Sequence, residues 1–212
     1  DSPSLMVLAY HNVRPRGEPA VGEAGLHIDQ SRFADHLDAL SESHEVVSLA
    51  QALEDPEMPD RGRPRAVITF DDGYLGTMTV GLQELARRGF PATVFVPPGL
   101  LDGAGFWWDR VADPTHGVIP PALRDHLLTA LQGRQERVLE WAETEGVACQ
   151  VLPDWACPVV ASSLGSLLAH APDVSLASHT WSHPNLAALS ADAALAEVER
   201  GLKAGADPNE VK

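Results

Sequence analysis

The chain has 212 residues, 44% of them hydrophobic, enough to bury a substantial core and ordinary for a globular protein. Its 30 acidic residues outnumber 15 basic ones, and the resulting formal charge of -15 repels nucleic-acid phosphates and anionic membranes while suiting a neutral or cationic substrate. No apolar run reaches the roughly 20 residues of a membrane helix and no basic-then-apolar leader opens the chain, so the expectation is one soluble domain over 1–212, cytoplasmic, or secreted if a leader was removed ahead of Asp1.

Leu5 to Ala9 is an apolar run without helical spacing that ends at Tyr10-His11-Asn12-Val13, and it reads as a buried strand. Ile28, Phe33, Leu37 and Leu40 then recur at helical intervals behind the candidate caps Asp29 and Ser31, and Glu45 to Leu49 looks extended. Ala66-Val67-Ile68-Thr69-Phe70 is apolar and rich in β-branched residues, bounded by Arg-Gly-Arg-Pro and Asp-Asp-Gly, which marks a central strand. A helix over Thr77 to Arg88, stopped by Gly89, precedes a strand at Ala92 to Val96. Strands alternating with helices imply a parallel α/β sheet.

From about Gly99 to Pro172 the alternation lapses into a helical insertion, with an aromatic segment Phe106-Trp107-Trp108-Asp109-Arg110 and amphipathic stretches at Leu123 to Leu131 and Val138 to Ala142. Val174 to Ala177 resumes as a strand, Ser178 to Leu189 reads as a loop with a helical turn, and Ala191 to Leu202 as a helix. The polar tail Gly205 to Lys212 is expected to fray. Cys149 and Cys157 make no disulfide framework and read more readily as thiols than as a bridge.

Parallel α/β folds bind ligands past the carboxyl ends of their strands, and two segments there carry chemistry. Asp71 and Asp72 follow the central strand directly, and the pleat sends neighbouring side chains apart, so one can hold a metal while the other faces substrate. His179 and His183 follow a later strand at i and i+4, so a helical turn would aim both imidazoles the same way. Each has a plainer reading, an Asp-Asp-Gly turn and a solvated helix face. Together they match a three-ligand site with positions left for water and substrate. A divalent ion there, with a free carboxylate as base, points to direct hydrolysis. Spacing alone does not say which aspartate is the ligand.

These residues resemble the polysaccharide deacetylase (NodB-homology) family, carbohydrate esterase family four: Thr69-Phe70-Asp71-Asp72-Gly73 matches its first motif and His179-Thr180-Trp181-Ser182-His183 its second. The resemblance makes Asp71 the catalytic base and Asp72, His179 and His183 the metal ligands. It implies a deformed (β/α) barrel that removes acetyl groups from N-acetylated amino sugars. Tyr10-His11-Asn12-Val13 resembles the opening of one branch of that family, whose histidine lies near the site. The family's Arg-x-x-Pro-Tyr, Trp-containing and Leu-x-His motifs have no match, so the expected barrel is incomplete, and its open sheet edge invites a second chain to cover it as an oligomer. Loss of an oxyanion donor and a general acid would each lower the rate about 100-fold or more.

Zinc is the expected metal, with cobalt, nickel or ferrous iron also suited to the ligand set. The expected partner is a carbohydrate or glycoconjugate substrate, with no nucleic acid and no membrane span. His11, Tyr74, Trp107 and Trp108 are candidate substrate contacts, the tryptophans more readily as packing. Asp109 and Arg110 read as surface pairing partners, and His27, His36, His44, His116, His126 and His170 as surface or cap residues. Two other functions compete with sugar deacetylation: hydrolysis of a linear non-sugar amide, and non-catalytic binding of glycan or metal.

Overall fold

The computed structural model describes residues 5–54 and 63–205. The chain opens with β1 (Leu5–Tyr10), β2 (Asn12–Arg14) and β3 (His27–Asp29), followed by α1 (Gln30–Ser43), β4 (Glu45–Val46), α2 (Leu49–Glu54) and β5 (Arg65–Phe70). A π-helical turn (Thr77–Gly81) runs into α3 (Leu82–Ala86), and β6 (Ala92–Val96) follows. The next four helices are α4 (Trp107–Val111), α5 (Pro121–Thr129), α6 (Gln135–Thr144) and α7 (Leu164–Leu168), before β7 (Val174–Ser178) and α8 (Ala191–Gly205). The expected tail lies outside the described residues beyond 205.

The expected α/β architecture is present as a parallel sheet in the order β1-β5-β6-β7, with β4 paired to the first residues of β5. All six residues of β5 are buried, as its β-branched apolar sequence requires of a strand covered on both faces. Asp29 accepts a hydrogen bond from the Ser31 amide at 2.8 Å and so caps α1, whose stripe Phe33, Leu37 and Leu40 packs onto the sheet. Each such side chain contributes about 1.5–3 kcal/mol on burial. No closed barrel forms among the described residues.

Both ends of the sheet carry exposed apolar side chains, at the first against the reading of Leu5 to Ala9 as a buried strand. The Leu5–Tyr10 strand forms, yet Leu5, Met6 and Val7 are exposed, Val7 by 55%, because β1 pairs only with β5 among the described residues. At the other end α8 carries Leu195, Val198 and Leu202 exposed on one helical stripe. Glu45 to Leu49 forms only a two-residue strand before α2 begins.

Helices α4, α5 and α6 surround a second core of Phe106, Trp107, Trp108, Leu127 and Val138, into which Tyr74 projects from the loop after β5. Both cysteines are free. Among the described residues no helix is long and apolar enough to cross a membrane.

Candidate metal centre

Asp71 and Asp72 follow β5, and the His179–His183 segment follows β7, which places both at the carboxyl end of the same sheet. The side chains converge there. One ligand atom each from Asp72, His179 and His183 lie within 4.8 Å of one another. The two imidazole Nε2 atoms are 3.1 Å apart, and Asp72 Oδ1 is 3.5 Å from His183 Nε2 and 3.8 Å from His179 Nε2. Tetrahedral ligands about 2.0–2.1 Å from a zinc ion stand roughly 3.3 Å apart, so the triangle is the size of one face of such a site.

Two further observations fit a cation. Asp72 Oδ1 is buried without a hydrogen-bond partner among the described residues, a costly state for a carboxylate oxygen unless a positive charge satisfies it. Burial, then the neighbouring Asp71 and Asp109, push the Asp72 carboxyl well above its ordinary range. Burial also lowers His183 to about 4 and lowers His179, so both imidazoles are neutral near pH 7, as metal ligation requires.

The local backbone is what aims these groups, and here the structure departs from the expected helical turn. His179 and His183 lie in an irregular loop in which Thr180 and His183 adopt positive φ, 64° and 52°. Asp72 does the same at 71°, followed by Gly73 at 69°. A non-glycine residue held in that region costs about 1–2 kcal/mol, and two of the three ligand candidates are held in it.

The helix α8 holds the histidine loop from outside. Glu197 accepts hydrogen bonds from the Ser182 amide and hydroxyl, both at 2.9 Å, and the Arg200 guanidinium lies 3.7 Å above the Trp181 ring. Gly201 allows this approach, because a methyl group there would collide with Ser178 Oγ and the Thr180 carbonyl. None of these three residues was singled out by sequence spacing, although a glycine inside an otherwise amphipathic helix was a signal of close packing.

On the opposite side a buried polar chain backs the site. Trp108 Nε1 donates to Tyr74 Oη at 2.7 Å, and Tyr74 Oη donates to Asp109 Oδ2 at 2.6 Å. Asp109 Oδ1 is 2.9 Å from His27 Nε2 and accepts from the Glu23 amide at 2.9 Å. Asn12 Nδ2 lies 3.0 Å from His27 Nδ1 and donates to the Trp155 carbonyl at 3.0 Å. The Trp108 ring then packs against His183 at 4.9 Å between centroids.

Three sequence expectations are corrected by this chain of contacts. Asp109 is fully buried rather than a surface partner, and His27 is buried rather than a cap. Tyr74 is also fully buried with its hydroxyl spent on Asp109, so it supports the wall and does not line the cavity as a substrate contact. The signal for Asp109 was a lone carboxylate beside two tryptophans in an apolar segment.

A cavity of about 400 Å³ opens onto the site, lined by Asp72, His183, His11, Trp107 and Trp108, and also by Glu23 and Arg124. His11 Nε2 is 3.9 Å from Asp71 Oδ2 and its pKa is lowered by burial, against the pull of Asp71. Trp107 and Trp108 both pack in the second core and line the cavity.

No family sequence model matches the chain, and no curated protein matches it. Solved structures do. The deacetylase PplD of Streptococcus pyogenes superposes with a TM-score of 0.56 at 16% identity, covering 94% of this chain and 66% of that one. A polysaccharide deacetylase from Bacillus cereus superposes with a TM-score of 0.52 at 14% identity, covering 97% of this chain and 46% of that one. The fold is therefore that of the polysaccharide deacetylases, and the chain spans no more than about two thirds of either protein's length.

Proposed function

We propose that this chain is a metal-dependent hydrolase that removes N-acetyl groups from an amino sugar in a glycan or glycoconjugate. The observation that carries the reading is the convergence of Asp72, His179 and His183 around an orphaned carboxylate oxygen, with Asp71 adjacent, at the carboxyl end of a deacetylase-type sheet. Zinc suits two imidazoles and one carboxylate at this spacing best, with cobalt, nickel and ferrous iron as the other fits.

A divalent ion bound there would polarise the acyl carbonyl and lower the pKa of a bound water toward about 7. Asp72, His179 and His183 would hold it, the two histidines as neutral ligands. Asp71, less buried than Asp72 and next to it in the chain, takes the proton of the attacking water and returns it to the departing amine as the C–N bond breaks. His11, beside Asp71, is positioned to steady that carboxylate or the amine. The products are acetate and a free amino sugar, whose positive charge suits an acidic protein.

Purified protein, stripped by chelator and reloaded with zinc, tests this by acetate release from N-acetylglucosamine oligomers. Asp71→Asn is expected to keep the metal and lose at least 100-fold in rate, while His179→Ala loses both. Metal uptake without acetate release from any oligomer would favour the second reading, a glycan or metal binder.

A further inference from the structure

The cavity at the metal centre does not end at the metal. Beyond Trp107 and Trp108 its walls are Leu26, Ile119 and Leu128, with Glu23 and Arg124 forming a 2.6 Å ion pair at its side. Ile119, Arg124 and Leu128 also line a second, outer depression, which adds Val118, Pro121 and Asp125. Pro121, Arg124 and Leu128 sit at i, i+3 and i+7 on α5, so one face of that helix floors a continuous track. Seven residues of helix span about 10 Å.

The groups lining the two depressions are chemically distinct. The cavity at the metal centre holds the two tryptophans together with Glu23 and Arg124, side chains able to bond hydroxyl groups. The outer depression is mostly apolar, with Arg124 and Asp125 as its charged members, and Val118 is 45% exposed there although it is aliphatic. A polysaccharide running along this path would bring further hydroxyls against Val118, Ile119, Pro121 and Leu128, where few donors and acceptors meet them.

Resting on the deacetylase reading above, we infer that the substrate is an N-acetylated amino sugar bearing an apolar aglycone, the sugar seated between the tryptophans and the Glu23–Arg124 pair and the aglycone lying along α5 toward Val118. The continuity of the apolar track with the cavity that Asp72 and His183 line carries the assignment.

Calorimetric titration of the metal-free, full-length chain with the methyl and octyl glycosides of N-acetylglucosamine, below the micelle threshold, tests it without relying on turnover. Each methylene buried raises affinity about fourfold, so an octyl chain burying three or more binds roughly 50-fold tighter than methyl. Val118→Asp, at a surface position where folding is not at stake, collapses that ratio to within about threefold of one. Equal affinity for the two glycosides, or a ratio untouched by Val118→Asp, overturns the inference. Acetate release from both glycosides by the zinc-loaded protein without chain-length preference would leave deacetylation standing and remove only the aglycone. Chain-length-dependent binding with no acetate released would do the reverse.

Discussion

The two sides of the metal centre are built by opposite means. On the α4 side, the wall is backed by the chain from Asn12 through His27, Asp109 and Tyr74 to Trp108, a set of buried groups whose polar atoms are spent on one another. On the α8 side, the histidine loop is held by one carboxylate, one guanidinium and one glycine on a helix whose outer stripe is exposed. The first wall resists change because removing any member leaves a buried partner unsatisfied. The second is anchored by contacts at its rim, and the lesson is that the two histidines depend on backbone geometry that weaker contacts maintain.

The largest expected effect is on the saturated wall. Asp109→Leu strands the Tyr74 hydroxyl, the His27 imidazole and the Glu23 amide, and should lower stability by about 3–5 kcal/mol in urea unfolding. A loss under about 1 kcal/mol would mean the polar chain is not what makes that wall stiff. Next, Gly201→Val drives a side chain into Ser178 and Thr180, and should cost about 1–3 kcal/mol together with a tenfold or greater loss of zinc affinity. Unchanged zinc affinity would show that the histidine loop does not depend on the close approach of α8.

Between the walls lies Asp72, and its sign is opposite. The folded carboxyl is raised above its ordinary 3.8, so in metal-free protein the stability it contributes is present below that pH and lost as pH rises through the raised value. Asp72→Asn, which keeps a residue tolerant of positive φ, should therefore stabilise the metal-free protein at neutral pH, with the gain vanishing near pH 4, and should abolish zinc binding. A gain independent of pH would contradict a buried, desolvated carboxyl. The smallest effects belong to the rim: Arg200→Ala should cost about 0.5–1 kcal/mol through the lost contact with Trp181, and Val7→Thr on the exposed edge of β1 less than about 0.5 kcal/mol.

Much of the scaffold and of the candidate centre was legible along the chain because it rests on local signals. The β-branched run into Phe70 announced a covered strand, Asp29 announced a helix start, and Asp71, Asp72, His179 and His183 announced themselves as polar groups just past strands. What failed were the readings of single side chains whose neighbours lie far away in the chain, His27 and Asp109 above all. His27 and Asp109 are separated by 82 positions yet bonded at 2.9 Å, and no periodicity records such a pair. The spacing of His179 and His183 suggested a helix, whereas left-handed backbone at Thr180 and His183 does the aiming.

By itself, then, the sequence determined the strand and helix order, the central position of β5 and the identity of the groups able to hold a metal, since periodicity, capping and turn chemistry act over a few residues. Only the tertiary structure decided that Asp72 Oδ1 faces two imidazoles with no hydrogen-bond partner among the described residues, that Tyr74 belongs to the wall rather than the cavity, and that α5 borders a mostly apolar depression beside the site. Those outcomes depend on which surfaces meet when distant segments pack, and burial, which sets the energetic weight of each polar group, exists only after they do.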